Sequence, residues 1–345
     1  MGSERSLRSR GTGLRPRVIP EQGASEGARV KDARPSLEER RAKKQARREK
    51  QRQANAGRAL QMRTARLASA VSRRVANDKL PAVNVGCSGW FYWHWRGLFY
   101  PQELPTTKWF EHYARNFNTV ELNAPFYSWP TVNAVKGWSR QTGDTKFIYT
   151  VKVCELITHV KRFRRTHTLV RDFGFIADVL GDRMGCFLFQ LPPSYQYSAD
   201  RLKSILGQLD PSRRNVVEFR HRSWWNPKVY AAFKQAGAMF CSCSAPGLPD
   251  ELISTSDEVY IRFHGRSRWY RHDYTSEELT VWTERVKASG CRRVWAYFNN
   301  DRDGYAIRNA QEFSRQLKTI GIAPLTQARR KAQNAKETPS EDRRA

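Results

Sequence analysis

The chain has 345 residues and is 39% hydrophobic and 12% aromatic, with 11 Trp. That suffices for one large domain with tails, or two ordinary domains, and for a sizeable buried core. The formal charge of +28 favours anionic partners such as phosphates, acidic metabolites or nucleic acid. No apolar run reaches the ~18 residues of a membrane span and no signal-peptide core is present, so no membrane role is expected.

The six cysteines, Cys87, Cys154, Cys186, Cys241, Cys243 and Cys291, lie mostly in apolar, strand-like runs. No CxxC pair occurs, and Cys241 and Cys243 share one strand face. This pattern argues against a disulfide framework or a zinc site and points to a reducing, cytoplasmic compartment.

Residues 1–80 hold 22 Lys and Arg against 8 Asp and Glu, and no aromatic residue. Ser36 and Glu39 are spaced as the N-cap and N3 of a capping box, and the Ala-, Arg-, Lys- and Gln-rich stretch 40–74 can be helical. No sustained apolar stripe supports packing. Residues 1–80 are therefore expected to be a disordered or partly helical basic extension, able to bind nucleic acid. A second basic tail is expected over residues 325–345.

At Pro81 the composition changes, and one rhythm repeats through residue 324: a short apolar strand, a loop, a helical pattern. Eight strands are predicted, at residues 83–88, 118–123, 147–153, 185–191, 215–220, 238–243, 258–264 and 293–299. Helical patterns fall at 104–116, 133–141, 169–180, 200–209, 227–235, 276–287 and 304–317, while the sixth connection, 245–256, is too short and broken for a helix. Eight such units in about 245 residues is the size of a (β/α)₈ TIM-like barrel. An open doubly wound sheet usually carries a Gly-rich phosphate loop after its first strand. Here that turn is Gly86-Cys87-Ser88-Gly89-Trp90, with neither GxGxxG nor a Walker motif and hence no nucleotide-cofactor signature.

Strand alternation sorts the residues into two faces. The consistently apolar parity (Val83 and Val85, Val120 and Leu122, Phe187 and Phe189, Val217 and Phe219, Val259, Ile261 and Phe263, Val294, Ala296 and Phe298) is expected to face the helices. The other parity is polar near the strand ends: Ser88, Glu121 with Asn123, Thr150 with Lys152, Gln190, Glu218 with Arg220, Ser242 with Ser244, Arg262 with His264, and Tyr297 with Asn299. The third and sixth strands are mixed on both faces. A purely structural barrel interior would be filled by branched aliphatic residues, whereas active sites lie at the C-terminal strand ends. Glu121, Glu218 and His264 are the candidate catalytic residues, either as acid and base or, less well supported for lack of a His-rich spacing, as ligands of a divalent metal. The structural alternative is that Lys152, Arg220 and Arg262 simply neutralise the carboxylates. The candidate substrate-binding residues are Trp90, Asn123, Lys152, His159, Gln190, Arg220, His221, Trp224, Arg262, Arg268, Tyr270, Tyr297, Asn299 and Asn300. Arg beside aromatic rings on the loops suits a phosphate and a stacked base or sugar.

Several segments, in order along the body, carry a family resemblance: Val85-Gly86-Cys87-Ser88-Gly89-Trp90 with His94-Trp95-Arg96-Gly97; Asn118-Thr119-Val120-Glu121-Leu122-Asn123 with Phe126-Tyr127; Ile157-Thr158-His159; Phe189-Gln190-Leu191-Pro192-Pro193; Val217-Glu218-Phe219-Arg220-His221 with Ser223-Trp224; Ile261-Arg262-Phe263-His264-Gly265; and Tyr297-Phe298-Asn299-Asn300. The chain resembles the YecE-like family (domain of unknown function 72, DUF72) over residues 83–318. The resemblance implies a TIM-barrel fold and no established reaction. It also implies Ser-Asp after the sixth strand, where this chain has Ser242-Cys243-Ser244-Ala245 and no acid. The expectation is an enzyme of hydrolase or isomerase type acting on an anionic, phosphate- or sugar-containing small molecule. The alternative is a nucleic-acid-binding protein using the basic extension.

Overall fold

The computed structural model describes residues 36–322. The expectations for residues 1–35 and 323–345 lie outside the described residues. Eight parallel strands, β1 (Val83–Cys87), β2 (Thr119–Leu122), β3 (Ile148–Lys152), β4 (Met184–Gln190), β5 (Asn215–Glu218), β6 (Met239–Ser244), β7 (Glu258–Phe263) and β8 (Arg293–Phe298), pair in the order β1-β8-β7-β6-β5-β4-β3-β2. The helices are α1 (Leu37–Leu67), α2 (Trp109–Asn116), α3 (Ala124–Tyr127), α4 (Val132–Gln141), α5 (His167–Leu180), α6 (Ala199–Leu206), α7 (Pro227–Ala236), α8 (Ser276–Ala288) and α9 (Tyr305–Thr319). No helix separates β6 from β7. The sheet is the nearly closed barrel of a (β/α)₈ fold.

Closure at the last seam is made by side chains. The Tyr113 hydroxyl, on α2, accepts from Cys87 N at 2.8 Å and donates to the Thr119 carbonyl at 3.1 Å. Asn118 Nδ2 donates to the Val83 carbonyl at 2.9 Å. The strands can approach because residue 86 has no side chain: a Cβ there would lie 2.2 Å from the Thr119 oxygen.

The helix-facing parity is as expected: Val85, Val120, Leu122, Phe187, Phe189, Val217, Phe219, Ile261, Phe263, Ala296 and Phe298 all join the large outer core. A separate inner cluster holds Ile148, Cys186, Leu188, Val216, Met239, Cys241, Cys243, Tyr260, Trp295 and Tyr297. This corrects the sixth strand. Its thiols point inward, and Ser242 points out, accepting from Ile253 N at 2.8 Å. Both faces of that strand carry small side chains, so alternation there gives no hydrophobic contrast to read. Gly185 leaves room for Trp295, whose ring would stand 3.0 Å from a Cβ at 185. Below it, Glu258 receives Trp295 Nε1 at 2.8 Å and pairs with Arg214 at 3.0 Å and with Arg293, plugging the N-terminal end. All six cysteines are free and buried.

The Ser36–Glu39 capping box forms, with Glu39 N to Ser36 Oγ at 3.1 Å and Ser36 N to Glu39 Oε2 at 2.6 Å. The second half of α1 packs, contrary to the expectation from its weak stripe. Asn55, Ala59 and Met62, one helical face, are buried. Asn55 donates to the Tyr127 carbonyl at 3.0 Å and accepts from Trp129 N at 2.9 Å, and Arg66 pairs with Asp172 at 3.0 Å. The stripe is held by an amide and guanidinium groups as much as by apolar contact, which hydrophobic periodicity does not register. Among the described residues, no helix is long and apolar enough to cross a membrane.

Candidate functional site

Arg262, near the end of β7 and 1% exposed, sits between the two carboxylates. Its Nη1 meets Glu218 Oε2 and its Nη2 meets Glu121 Oε1, both at 2.5 Å. Charge-assisted bonds of this kind fix geometry as well as energy. Glu121 also accepts from Ser88 Oγ at 2.7 Å and Tyr260 Oη at 2.6 Å. Glu218 also holds Arg220 Nε at 2.7 Å and lies 3.1 Å from His264 Nε2. Burial pushes the Glu218 carboxyl up, but Arg262, Arg220 and His264 outweigh it and hold it well below the usual carboxylate range. His264 is driven down to about 3 by burial and by Arg262, so its imidazole is neutral. Asn299 Nδ2 lies 3.1 Å from its Nδ1. Donation there leaves the proton on Nε2, facing Glu218.

Two cations rim this network. Arg220, its side chain 14% exposed, lies over the Trp269 ring at 5.0 Å and donates to Tyr270 Oη at 3.2 Å. Tyr270 occupies the left-handed region (φ 64°), which costs about 1–3 kcal/mol for a side-chain-bearing residue. Its amide is tied back to the His264 carbonyl at 2.6 Å. Lys152, at the end of β3 and 8% exposed, has its ammonium 4.0 Å from the centre of the Phe126 ring. It has no carboxylate partner among the described residues. Burial, then Arg262, lowers its pKa to about 7. His159 stands on a single π-helical turn, Leu156–Val160, directly after β3. Its ring packs edge-on against the same Phe126 at 4.9 Å, and Thr158 Oγ1 lies 2.9 Å from its Nδ1. Burial and Lys152 take its pKa down to about 3.

The structure thus brings together Glu121, Glu218, His264, Lys152, His159, Arg220, Arg262, Tyr270 and Asn299. Gln190 lies beside Glu218 in the sheet, its amide turned to the Leu191 carbonyl. Asn123 donates to the Ser88 carbonyl at 3.0 Å while its Oδ1 has no partner among the described residues. Arg268 is exposed on the loop after β7. His221 caps the short turn Arg222–Trp224 by accepting from Ser223 N. Four expected residues are placed elsewhere. Trp224 is fully buried on the helix side, stacked on Phe219 at 3.9 Å. Trp90 packs on Phe110 at 5.1 Å. Asn300 braces the loop backbone through the His272 carbonyl and Asn309. Tyr297 lies within the barrel interior, bonded to Thr119 and Thr150. Phe126, Trp269 and Tyr260 were missed as site residues. Phe126 stood in a recognisable motif and Trp269 in the Arg-rich loop, so both had a signal.

The metal reading of Glu121, Glu218 and His264 does not fit, because the Arg262 guanidinium occupies the space between the carboxylates. Among the described residues, the ligand atoms of Glu218, Cys241 and Cys243 lie within 4.8 Å of one another. Both Glu218 oxygens are already engaged, however, and burial pushes the Cys241 thiol well up, which opposes the deprotonation a metal requires. A cleft of about 540 Å³ opens elsewhere, at the N-terminal ends of β1 to β3, lined by Val83, Asn118, Phe147 and Lys318.

A barrel of this topology with this order of strand-end residues has its counterpart among known proteins: the model of "Protein of unknown function DUF72" matches residues 84–334. The chain belongs to the DUF72 family. UPF0759 protein YunF of Bacillus subtilis is 24% identical over 283 residues, which covers 70% of this DUF72 chain and 98% of YunF. UPF0759 protein YecE of Escherichia coli K12 is 35% identical over 112 residues, 32% of this chain and 41% of YecE. The crystal structure of a DUF72 family protein from Thermotoga maritima superposes with a TM-score of 0.62 at 28% identity, covering 69% of this chain and all of that one.

Proposed function

We propose that this DUF72 protein is an enzyme, of isomerase or hydrolase type, that acts on an anionic small molecule carrying a phosphate or carboxylate at the C-terminal mouth of the barrel. The observation that carries the reading is the surplus of cations there. Glu121 and Glu218 are both engaged by Arg262 and Arg220, while Lys152 has no carboxylate among the described residues. A mouth walled by aromatic rings and fixed guanidiniums selects an anion. In this reading Glu121 and Glu218 hold Arg262 and Arg220 in place, His264 is a neutral donor to Glu218, and proton transfer falls to Lys152 and His159. The buried free thiols support work in a reducing compartment, the cytoplasm.

The test is calorimetric titration of the full chain with inorganic phosphate, alongside Arg220→Gln. Binding weakened about tenfold or more by the variant supports the reading, since a charge-assisted bond contributes about 1.5–3 kcal/mol. Equal binding by both proteins removes Arg220 from the site. The second reading, nucleic-acid binding, is favoured by the exposed Arg40, Arg41, Lys43, Lys44 and Arg47 of α1. It predicts RNA or DNA affinity that falls steeply with salt and is lost on deleting residues 1–47.

A further inference from the structure

We propose that Lys152 is a carbonyl-directed nucleophile, its amine condensing with an aldehyde or ketone of the anionic substrate to form a Schiff base. The inference rests on the reading of the mouth as an anion site and names the chemistry done there. Its geometry is that of an amine kept reactive. Lys152 stands at the end of β3, a strand paired on both sides, so its stem is fixed by the sheet. It is over nine-tenths buried, and its ammonium lies over the face of Phe126, 4.0 Å from the ring centre. A lysine whose role is structural at such depth is paired with a carboxylate. Glu121 and Glu218 are the nearby acids, and both are held by arginines.

The surrounding charges act in the same direction. Burial and Arg262 disfavour the ammonium, Arg220 adds to this, and Glu218 and Glu121 oppose it without cancelling it. The ring of Phe126 favours the cation slightly, but burial outweighs it. The net result is a pKa of about 7, so half of the amine is uncharged near neutrality. An ordinary lysine near 10.4 has an uncharged fraction about 10³-fold smaller at pH 7. Desolvation of this kind is how amine nucleophiles are activated.

The step balances without an oxidant or co-reactant. The Lys152 Nζ lone pair forms the C–N bond as the carbonyl π pair moves to oxygen. The amine gives up a proton and the oxygen gains one, yielding a carbinolamine. Protonation of that hydroxyl, breakage of the C–O bond and loss of water leave a protonated imine. These protons exchange with solvent at the mouth, with the neutral imidazole of His159 packed on the same Phe126 ring. The iminium acidifies the adjacent C–H or weakens the adjacent C–C bond, which makes the reaction class an isomerisation or a carbon–carbon cleavage. Hydrolysis then returns the free amine.

The experiment is reductive trapping of the full-length protein with glycolaldehyde phosphate and sodium cyanoborohydride, followed by peptide mass mapping. The expected result is one adduct on the peptide containing Lys152, with a half-maximal rate near pH 7, lost in Lys152→Arg. Phosphate at ten times its Kd should slow it about tenfold. Because the adduct is mapped on the unmutated protein, misfolding of the variant does not decide the outcome. Modification spread over exposed lysines such as Lys108 and Lys287 with Lys152 untouched overturns the inference, as does trapping at Lys152 no faster than at those two. If phosphate binds but Lys152 is not trapped, the Schiff base fails and the anion site stands. If Lys152 is trapped but phosphate neither binds nor competes, the Schiff base stands and the anion site fails.

Discussion

Replacing Glu218 with Gln tests the central network most directly. Glu218 is fully buried and receives Arg262 Nη1 at 2.5 Å, Arg220 Nε at 2.7 Å and His264 at 3.1 Å. The amide keeps the shape, removes the charge and turns an NH₂ towards donors. Removing one partner of a buried pair costs about 3–5 kcal/mol, because the guanidiniums stay buried without compensation. At about 2–4 °C per kcal/mol for a domain of this size, the melting temperature should fall by about 6–20 °C at pH 7. The pH dependence has a definite sign. The folded-state pKa of Glu218 is depressed, so its contribution is present above the unfolded value of about 4.3 and is lost as pH falls towards the folded value. The gap between wild type and variant should close as pH falls below about 4.3. Scanning fluorimetry across pH measures both. A shift under about 2 °C at pH 7, or a gap that widens in acid, would refute a charge-pair role for Glu218.

Five further outcomes follow from particular residues. Tyr113→Phe leaves Cys87 N and the Thr119 carbonyl without their bridge. It should cost about 1–3 kcal/mol in urea denaturation and speed exchange of the Cys87 amide; unchanged protection there contradicts the seam. Gly86→Ala forces a Cβ to 2.2 Å from the Thr119 oxygen and should destabilise by about 1–3 kcal/mol or more. Gly137→Ala, in the middle of α4 with nothing nearer than Arg140 at 3.9 Å, should stabilise by about 0.5–1 kcal/mol. Asn55→Ala removes the bonds to Tyr127 and Trp129 and should speed tryptic cleavage within 47–67 while the barrel core stays protected. His159 has a depressed pKa of about 3, so its contribution is present above the unfolded value of about 6.5 and is lost as pH falls towards 3. His159→Gln should therefore flatten the acid loss of stability between about pH 6 and 4.

Most of the barrel was legible because its strands alternate two chemically different faces. Where the contrast vanished, as in Cys241-Ser242-Cys243-Ser244, the expected inward face, Ser242 and Ser244, was the wrong one, and the thiols face inward. Trp224 and Asn300 sit in rim sequences but not at the mouth, because a short turn folds Trp224 onto Phe219 and Asn300 is spent on loop carbonyls. Turn geometry of that kind has no periodic signature. The docking of α1 was missed for a related reason: Asn55 binds backbone groups of the barrel, and hydrophobic patterning sees only apolar partners. The isolation of Lys152 was hidden too, since sequence shows which charges are present and not which pairs are already made.

That last difference changes how the charged residues divide the work. Arg262 and Arg220 balance Glu121 and Glu218, and His264 is neutral, so the charge of the mouth is set by the proton on Lys152. In our proposal a bound anion and an uncharged Lys152 are in tension, because an anion beside the amine would raise its pKa and quench it. The tension is relieved if the two functions are separated in space. Arg220, Trp269 and Tyr270 come from β5 and the loop after β7, whereas Lys152, Phe126 and His159 come from β3 and the elements flanking it. The substrate should therefore place its anionic group on the Arg220 side and its carbonyl over Lys152. By linkage, a ligand offering only the anion should raise the Lys152 pKa, and a protonated Lys152 should bind that anion more tightly. Phosphate affinity that rises as pH falls through 7 in wild type, and does not in Lys152→Met, is the signature of that coupling.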